Sequence, residues 1–241
     1  MSGRLGEIWV YLAATPLLGL ALTLLVYQAA DAIYRRVGLN PLANPVAISI
    51  VVLVTILAAT GTPYATYFEG AQFVHFLLGP ATVALAVPLY AQRDRLRGAW
   101  RPLAGALLAG SLTAIVSSVG IAWLLGASPG TLASLAPKSV TTPIAMAVAE
   151  QLGGLPSLTA VLVVTTGIVG AMSAKAVLDA VRVRDPAARG FAVGVAAHGI
   201  GTARAFQVSE ETGAFAGLGM GLNAILTALA LPALAWLAAT L

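Results

Sequence analysis

The sequence predicts an all-helical polytopic membrane protein with about seven or eight transmembrane elements, some of them interrupted or re-entrant. Three observations lead to this prediction. Of 241 residues, 59% are hydrophobic and 9% are charged, against about 25% charged in an average soluble domain. Apolar runs recur at the length of about 20 residues that a spanning helix needs. Short polar segments with proline or glycine interrupt several of these runs.

Five runs are long and apolar enough to be continuous spanning helices. They lie at residues 8–33, 43–61, 100–125, 156–180 and 215–240. Three further segments have the length but carry breaking or polar residues at mid-depth, at 73–92, 131–152 and 190–208. Because lipid offers no partner for open backbone, interrupted segments must be buried in protein or line a cavity.

Arginines form three clusters, which the positive-inside rule assigns to the cytoplasm. The clusters are Arg35 with Arg36, then Arg93, Arg95, Arg97 and Arg101, then Arg182, Arg184 and Arg189. With these clusters inside, the helix at 100–125 ends at the outer face and the helix at 156–180 begins there. Segment 131–152 between them must therefore enter and leave from the outer face, so we predict a re-entrant hairpin. The net charge of +4 therefore reports topology and does not indicate nucleic-acid binding.

We expect a single membrane domain over residues 1–241, with repeat units at about 8–125 and 131–240. The segment Gly79–Thr82 resembles Gly199–Thr202, and further matches follow in the same order in both halves. Inverted repeats with interrupted helices are typical of secondary transporters. The alternative is chance similarity among helices rich in Val, Leu and Ala. The abundant small residues suit close helix packing, and we expect a homodimer.

The most polar interruption lies inside segment 131–152. It contains Lys138, Ser139, Thr141 and Thr142 between two predicted helix breaks, Pro137 and Pro143. An ammonium beside open amides at a helix break is an anion-binding arrangement, and the hydroxyls would orient a small carboxylate. The alternative is a lysine at the membrane surface in an ordinary loop, with hydroxyls that cap the broken helix ends.

A second candidate stretch runs from His198 to Arg204. We predict that Gly199 and Gly201 allow unwinding and close approach, and that Thr202 and Arg204 contact the carboxylate. His198 is a candidate for proton coupling. Alternatively, the arginine reaches the headgroups and the histidine donates to a neighbouring carbonyl.

Three weaker candidates complete the predicted site. Gly79 and Pro80 are predicted breaks, and Thr82 beside them is a candidate substrate ligand or part of a simple kink. Glu150 either pairs with Lys138, relays a proton or lies at the outer headgroups. Asn223 is predicted to make a helix–helix hydrogen bond.

Enzyme signatures are missing from the sequence: there is no His-Glu-x-x-His, no P-loop and no cysteine. We therefore expect no catalytic residues, metal site or cofactor.

Three motifs resemble the LrgB/CidB membrane protein family. They are Leu78–Tyr90, Pro137–Ala145 and Ala197–Ala205. The resemblance implies two functions. Family members were named for control of murein hydrolases and compared with holins and antiholins, usually beside a small LrgA/CidA-type partner. Relatives that include the plastid glycolate/glycerate translocator carry small monocarboxylates such as glycolate, glycerate or pyruvate.

Together these observations predict a multi-pass carrier of small organic anions in a bacterial inner membrane, working by alternating access and coupled to protons. The alternative is a holin- or antiholin-like regulator of murein hydrolase activity and cell lysis. Charged residues inside the membrane favour the carrier, because a pore or scaffold does not need them.

Overall fold

The computed structural model describes residues 16–84 and 86–240, and every regular element in these ranges is helical. The prediction of an all-helical membrane protein is confirmed. Five of these helices are long and apolar enough to cross a membrane: Pro16–Arg36, Pro41–Thr60, Arg97–Leu124, Pro156–Ala180 and Glu210–Leu237. They match the five continuous runs predicted above, except that residues 8–15 of the first run lie outside the described part of the chain.

The chain forms two compact units, Met1–Ala84 and Leu85–Leu241. The first contains helices α1 (Pro16–Arg36), α2 (Pro45–Thr60), α3 (Tyr64–Phe76) and α4 (Leu78–Ala84), with a 3-10 turn at Pro41–Ala43 before α2. The second contains α5 (Ala86–Ala91), α6 (Arg93–Leu124), α7 (Pro129–Leu135), α8 (Thr142–Gln151), α9 (Pro156–Ala180), α10 (Pro186–Val208) and α11 (Glu210–Thr240). The predicted single domain with two inverted repeats stays a prediction.

In the first unit, α1 packs against both α2 and α3. The crossing of α1 and α3 is close because a side chain on Gly70 would collide with the carbonyl of Pro16. Near this crossing the hydroxyls of Thr23 and Tyr67 hydrogen-bond at 2.7 Å. Small residues at a crossing and a polar contact beside it are the usual means of joining helices in lipid.

Prolines determine where many of the helices begin. Helices α2, α7, α9 and α10 have proline as their first residue, and α8 has Pro143 as its second. Proline is tolerated there because the amide it lacks has no intrahelical partner. The break between α3 and α4 has the same cause, since Pro80 cannot donate to Phe76, the last residue of α3. The predicted interruptions of 73–92 and 131–152 are therefore present.

Helices α10 and α11 form the most extensive packing in the second unit. Their backbones are in contact because glycine occupies the crossing: a side chain on Gly190 or Gly194 would strike the carbonyls of Thr212 and Ala216. Phe191, Val195 and Phe215 fill the core beside this contact. Most of α6, by contrast, is exposed, as expected for a helix that faces lipid.

Candidate functional site

The predicted polar interruption is a real break in the helix, and it is buried in protein. No helix covers residues 136–141 between α7 and α8. Pro137 and Val140 are almost fully buried, and Ser139 is 6% exposed. The backbone of the break forms two short turns. The Lys138 amide donates to the carbonyl of Leu135, and the Val140 amide donates to the carbonyl of Pro137. The break therefore lies where open backbone is tolerated in a membrane protein, inside the protein itself.

Val140 anchors the break to the helices around it. It packs with Ala145 of α8, Val163 of α9 and Ala224 of α11. On the α7 side of the break, the fully buried Ser134 accepts from the amide of Leu155 at 2.7 Å, which joins the end of α7 to the start of α9. Both flanks of the break are thus held by buried contacts, so its geometry is well defined.

Lys138 is half-buried within this break. Its ammonium lies 3.5 Å from the Ser139 hydroxyl. No Asp or Glu among the described residues lies within 4 Å of it, although Asp31 and Asp179 do form salt bridges with other basic residues. A partly buried ammonium without a carboxylate is costly unless a ligand supplies the negative charge.

Two further groups lie next to Lys138 at the start of α8. Thr141 is the N-cap residue, but its hydroxyl makes no capping hydrogen bond. Thr141 and Thr142 are both partly exposed. The first amides of a helix have no intrahelical partner and carry the positive end of its dipole. The ammonium, two hydroxyls and a helix N-terminus therefore occur within five residues, all suited to an anion.

The second interruption lies inside α10, but not at the predicted glycine. The non-helical residues are Ala197 (φ −125°, ψ 15°) and His198 (φ 40°, ψ −134°), whereas Gly199 has no positive φ. Gly201 provides the predicted close approach, because a Cβ atom added there would lie only 2.8 Å from Cγ1 of Val193 on the other side of the kink. The Thr202 hydroxyl donates to the carbonyl of His198 at 2.8 Å. The same bond to the carbonyl four residues back is made by Thr23 and Ser49 in other helices.

The imidazole of His198 is 4% exposed and points into the helix packing. Its Nε2 lies 2.9 Å from the carbonyl oxygen of Val163 on α9. Gly167, one turn further on, makes room for the ring, since a methyl group there would lie 2.6 Å from Cε1. Val163 also packs against Val140 of the break, so this contact brings the two interruptions into one neighbourhood.

Asn223 of α11 joins the two interruptions directly. Its Nδ2 donates to the carbonyl of Ser139 at 3.1 Å and to that of Val195 at 3.0 Å. Its Oδ1 accepts from the hydroxyl of Ser111 on α6. The side chain is 1% exposed. The predicted helix–helix hydrogen bond is present, but sequence alone gave no sign that one partner is the break segment.

The remaining predicted site residues differ in their surroundings. Arg204, a predicted ligand, is half-buried and donates to Gln207 on its own helix at 3.3 Å. Its part in binding stays a prediction. Glu150 is exposed and is not paired with Lys138. Pro80 is exposed in α4 with Gly79 before it, and the Thr82 side chain lies outside the described part of the structure.

A cavity of about 450 Å³ lies elsewhere in the second unit, between α6 and α10. Its lining among the described residues includes Leu103, Gly110, Ala192 and Phe215, with Asp185 as the one charged side chain. None of the predicted site residues that the structure describes lines this cavity. An apolar lining with one carboxylate does not suit a small anion, so we place the candidate site at the break around Lys138.

Comparison with known proteins gives one family. Residues 23–237 match the LrgB-like family. The chain is 38% identical to the uncharacterized protein YwbG of Bacillus subtilis over 216 residues, which cover 90% of this chain and 96% of that protein.

Two further relatives have descriptive names. The holin-like protein CidB of Staphylococcus epidermidis is 30% identical, over 88% of this chain and 93% of its own length. The antiholin-like protein LrgB of Bacillus mycoides is 28% identical, over 90% and 95%. No solved structure matches the chain.

Proposed function

The chain belongs to the LrgB-like family, and from that premise and the geometry of the break we propose that it carries small organic anions across a bacterial inner membrane. The substrates in this proposal are monocarboxylates of the size of glycolate, glycerate or pyruvate. Transport proceeds by alternating access, in which one part of the protein moves against another around the site.

One observation carries the proposal: Lys138 is a half-buried ammonium in a buried helix break, and no carboxylate of the described residues neutralises it. A bound carboxylate supplies the missing negative charge. One ammonium matches one carboxylate, which favours a monovalent anion over a dicarboxylate.

The groups around Lys138 take distinct parts in binding. Thr141 and Thr142 have hydroxyls that are available to donate to a carboxylate, and the α8 N-terminus adds amides and a favourable dipole. Ser139 already lies against the ammonium and orients it. Thr202 gives its single hydroxyl proton to the His198 carbonyl, so its part is to stabilise the kink beside Gly201. Arg204 would attract anions from outside the break.

Proton coupling is assigned to His198 rather than to Glu150. The histidine is buried next to both interruptions, whereas the glutamate is exposed at the end of α8. A buried imidazole in contact with a helix kink changes its interactions with the protein when it gains a proton. Proton coupling is tested by the rise in external pH that accompanies substrate uptake into proteoliposomes. The His198→Gln variant should lose this pH change but keep uptake down an imposed substrate gradient.

The central test is uptake of labelled glycolate and pyruvate into proteoliposomes that contain the purified protein. Wild-type uptake should saturate with substrate. Lys138→Met should reduce uptake at low substrate at least about tenfold, because it removes one partner of a buried charge pair. Lys138→Arg should retain part of it. Lys175→Met is the matched control, since Lys175 is exposed and pairs with Asp179. Undiminished flux in Lys138→Met would remove the site from the proposal.

The names of two relatives favour a second function, a holin- or antiholin-like regulator of murein hydrolases and cell lysis. In that case the chain acts with a small LrgA/CidA-like membrane partner, or as a homodimer or larger oligomer that forms lesions. A lesion passes solutes without saturation. Leakage of an uncharged dye from the same proteoliposomes, unaffected by carboxylates and by Lys138→Met, would support the regulator over the carrier.

A further inference from the structure

We propose that Asn223 is the positioning residue of the anion site, which it serves by holding the α7–α8 break against the kinked helix α10. This inference rests on the proposed function, because it assigns a role within the same site. Asn223 itself touches no substrate. It acts through Ser139, whose carbonyl it holds and whose hydroxyl contacts the Lys138 ammonium.

The amide of Asn223 has no capacity left for a ligand. Both Nδ2 protons are used, one on the Ser139 carbonyl at 3.1 Å and one on the Val195 carbonyl at 3.0 Å. The Oδ1 atom accepts from Ser111. At 1% exposure the side chain has no access to a substrate. Its polar atoms therefore bond to the protein and not to a substrate.

The two carbonyls that it holds belong to the two interruptions. Ser139 follows Lys138 in the break, and Val195 lies two residues before Ala197, where α10 leaves helical geometry. One planar amide thus sets the distance between the lysine-bearing segment and the kink. A small rigid group that spans both elements controls where the ammonium lies relative to the start of α8.

A purely structural role makes a different prediction from a positioning role. Tyr67 offers the comparison, because its hydroxyl hydrogen-bonds to that of Thr23 at 2.7 Å between α3 and α1, and neither helix carries a residue of the break. Losing that bond should lower the melting temperature without changing substrate affinity. Losing the Asn223 donors should change affinity itself.

The experiment measures saturation curves for labelled glycolate in proteoliposomes with wild type, Asn223→Leu, Asn223→Ser and Tyr67→Phe. Asn223→Leu keeps the approximate volume, adds no charge and removes both donors, while Asn223→Ser retains one hydroxyl donor. We expect KM to rise about tenfold or more in Asn223→Leu and less in Asn223→Ser, with Vmax changed less than KM. Tyr67→Phe should keep the wild-type KM and lose only thermal stability.

Each outcome bears on a separate claim. If wild-type uptake does not saturate, the carrier function fails. If wild type saturates and both Asn223 variants keep its KM, Asn223 is not a positioning residue. A rise of KM in Tyr67→Phe equal to that in Asn223→Leu also overturns the inference, because any hydrogen bond between helices would then have the effect. So does failure of both Asn223 variants to fold, since that outcome makes the residue structural.

Discussion

His198 Nε2 lies 2.9 Å from the carbonyl oxygen of Val163 and so joins the kink of α10 to α9. Because a carbonyl only accepts, the ring carries a proton on Nε2. The same residue has φ 40° and ψ −134°, a backbone conformation that glycine adopts far more readily than any residue with a side chain. One residue therefore combines an unfavourable backbone with a buried hydrogen bond, next to Lys138.

Replacing His198 should show which of these two features dominates stability. His198→Gly loses the hydrogen bond but relieves the backbone, whereas His198→Ala loses the bond and keeps the strain. We expect the Ala variant to be less stable than the Gly variant by about 1 kcal/mol or more. This order is the reverse of that in a regular helix. Apparent melting temperatures in detergent give the comparison.

Ala205 provides the control for this order, because it is buried in a regular part of the same helix. Ala205→Gly should be destabilising in the ordinary way. If His198→Ala proves more stable than His198→Gly, the kink does not impose the observed conformation.

Gly167→Ala should displace the His198 ring. The added methyl would lie 2.6 Å from Cε1 and 2.8 Å from Nε2, too close for either atom to stay in place. We expect a loss of about 1–3 kcal/mol in stability, as for overpacked cores. Gly120→Ala is the matched control, since that glycine lies in α6 with open space around it. Equal melting temperatures for the two variants would place the ring elsewhere.

Gly194→Ala should be more harmful than Gly167→Ala. Its methyl would strike the backbone carbonyl of Ala216, and a backbone between two packed helices cannot turn away as a ring does. We expect poor folding or a loss above about 3 kcal/mol. The yield of monodisperse protein in detergent measures this. Gly221→Ala in α11 meets no neighbour within 4 Å and should behave like wild type.

Selection among substrates by their charge at Lys138 is expected of a carrier and not of a lesion-forming pore. Malonate brings a second negative charge into a site with one ammonium, so it should compete with glycolate uptake at least about tenfold more weakly than pyruvate does. In Lys138→Arg the preference should remain, because the charge is kept. Equal competition by malonate and pyruvate in the wild type would argue against a single-cation site.

Hydropathy was sufficient to predict the five spanning helices, because crossing a bilayer requires a long apolar run whatever the helix packs against. Two prolines that bracket a polar segment were sufficient to predict the break at residues 136–141, because each removes an amide and disfavours helix in the residue before it. A single proline is weaker evidence, since α6 and α11 continue through Pro102 and Pro232. The second break was predicted one residue too late. Glycine permits an unusual backbone but does not require it, and packing against Val163 and Gly167 places the strain on His198 instead.

Local composition and backbone chemistry were enough to predict that this chain lies in a membrane, that its helices are interrupted, and that Lys138 belongs to an interruption. The groups around Lys138 could not be predicted in this way, because they lie on α9, α10 and α11, far from it along the chain. Helix packing brings Asn223 against the carbonyl of Ser139, and it brings His198 against Val163, whose side chain contacts Val140 of the break.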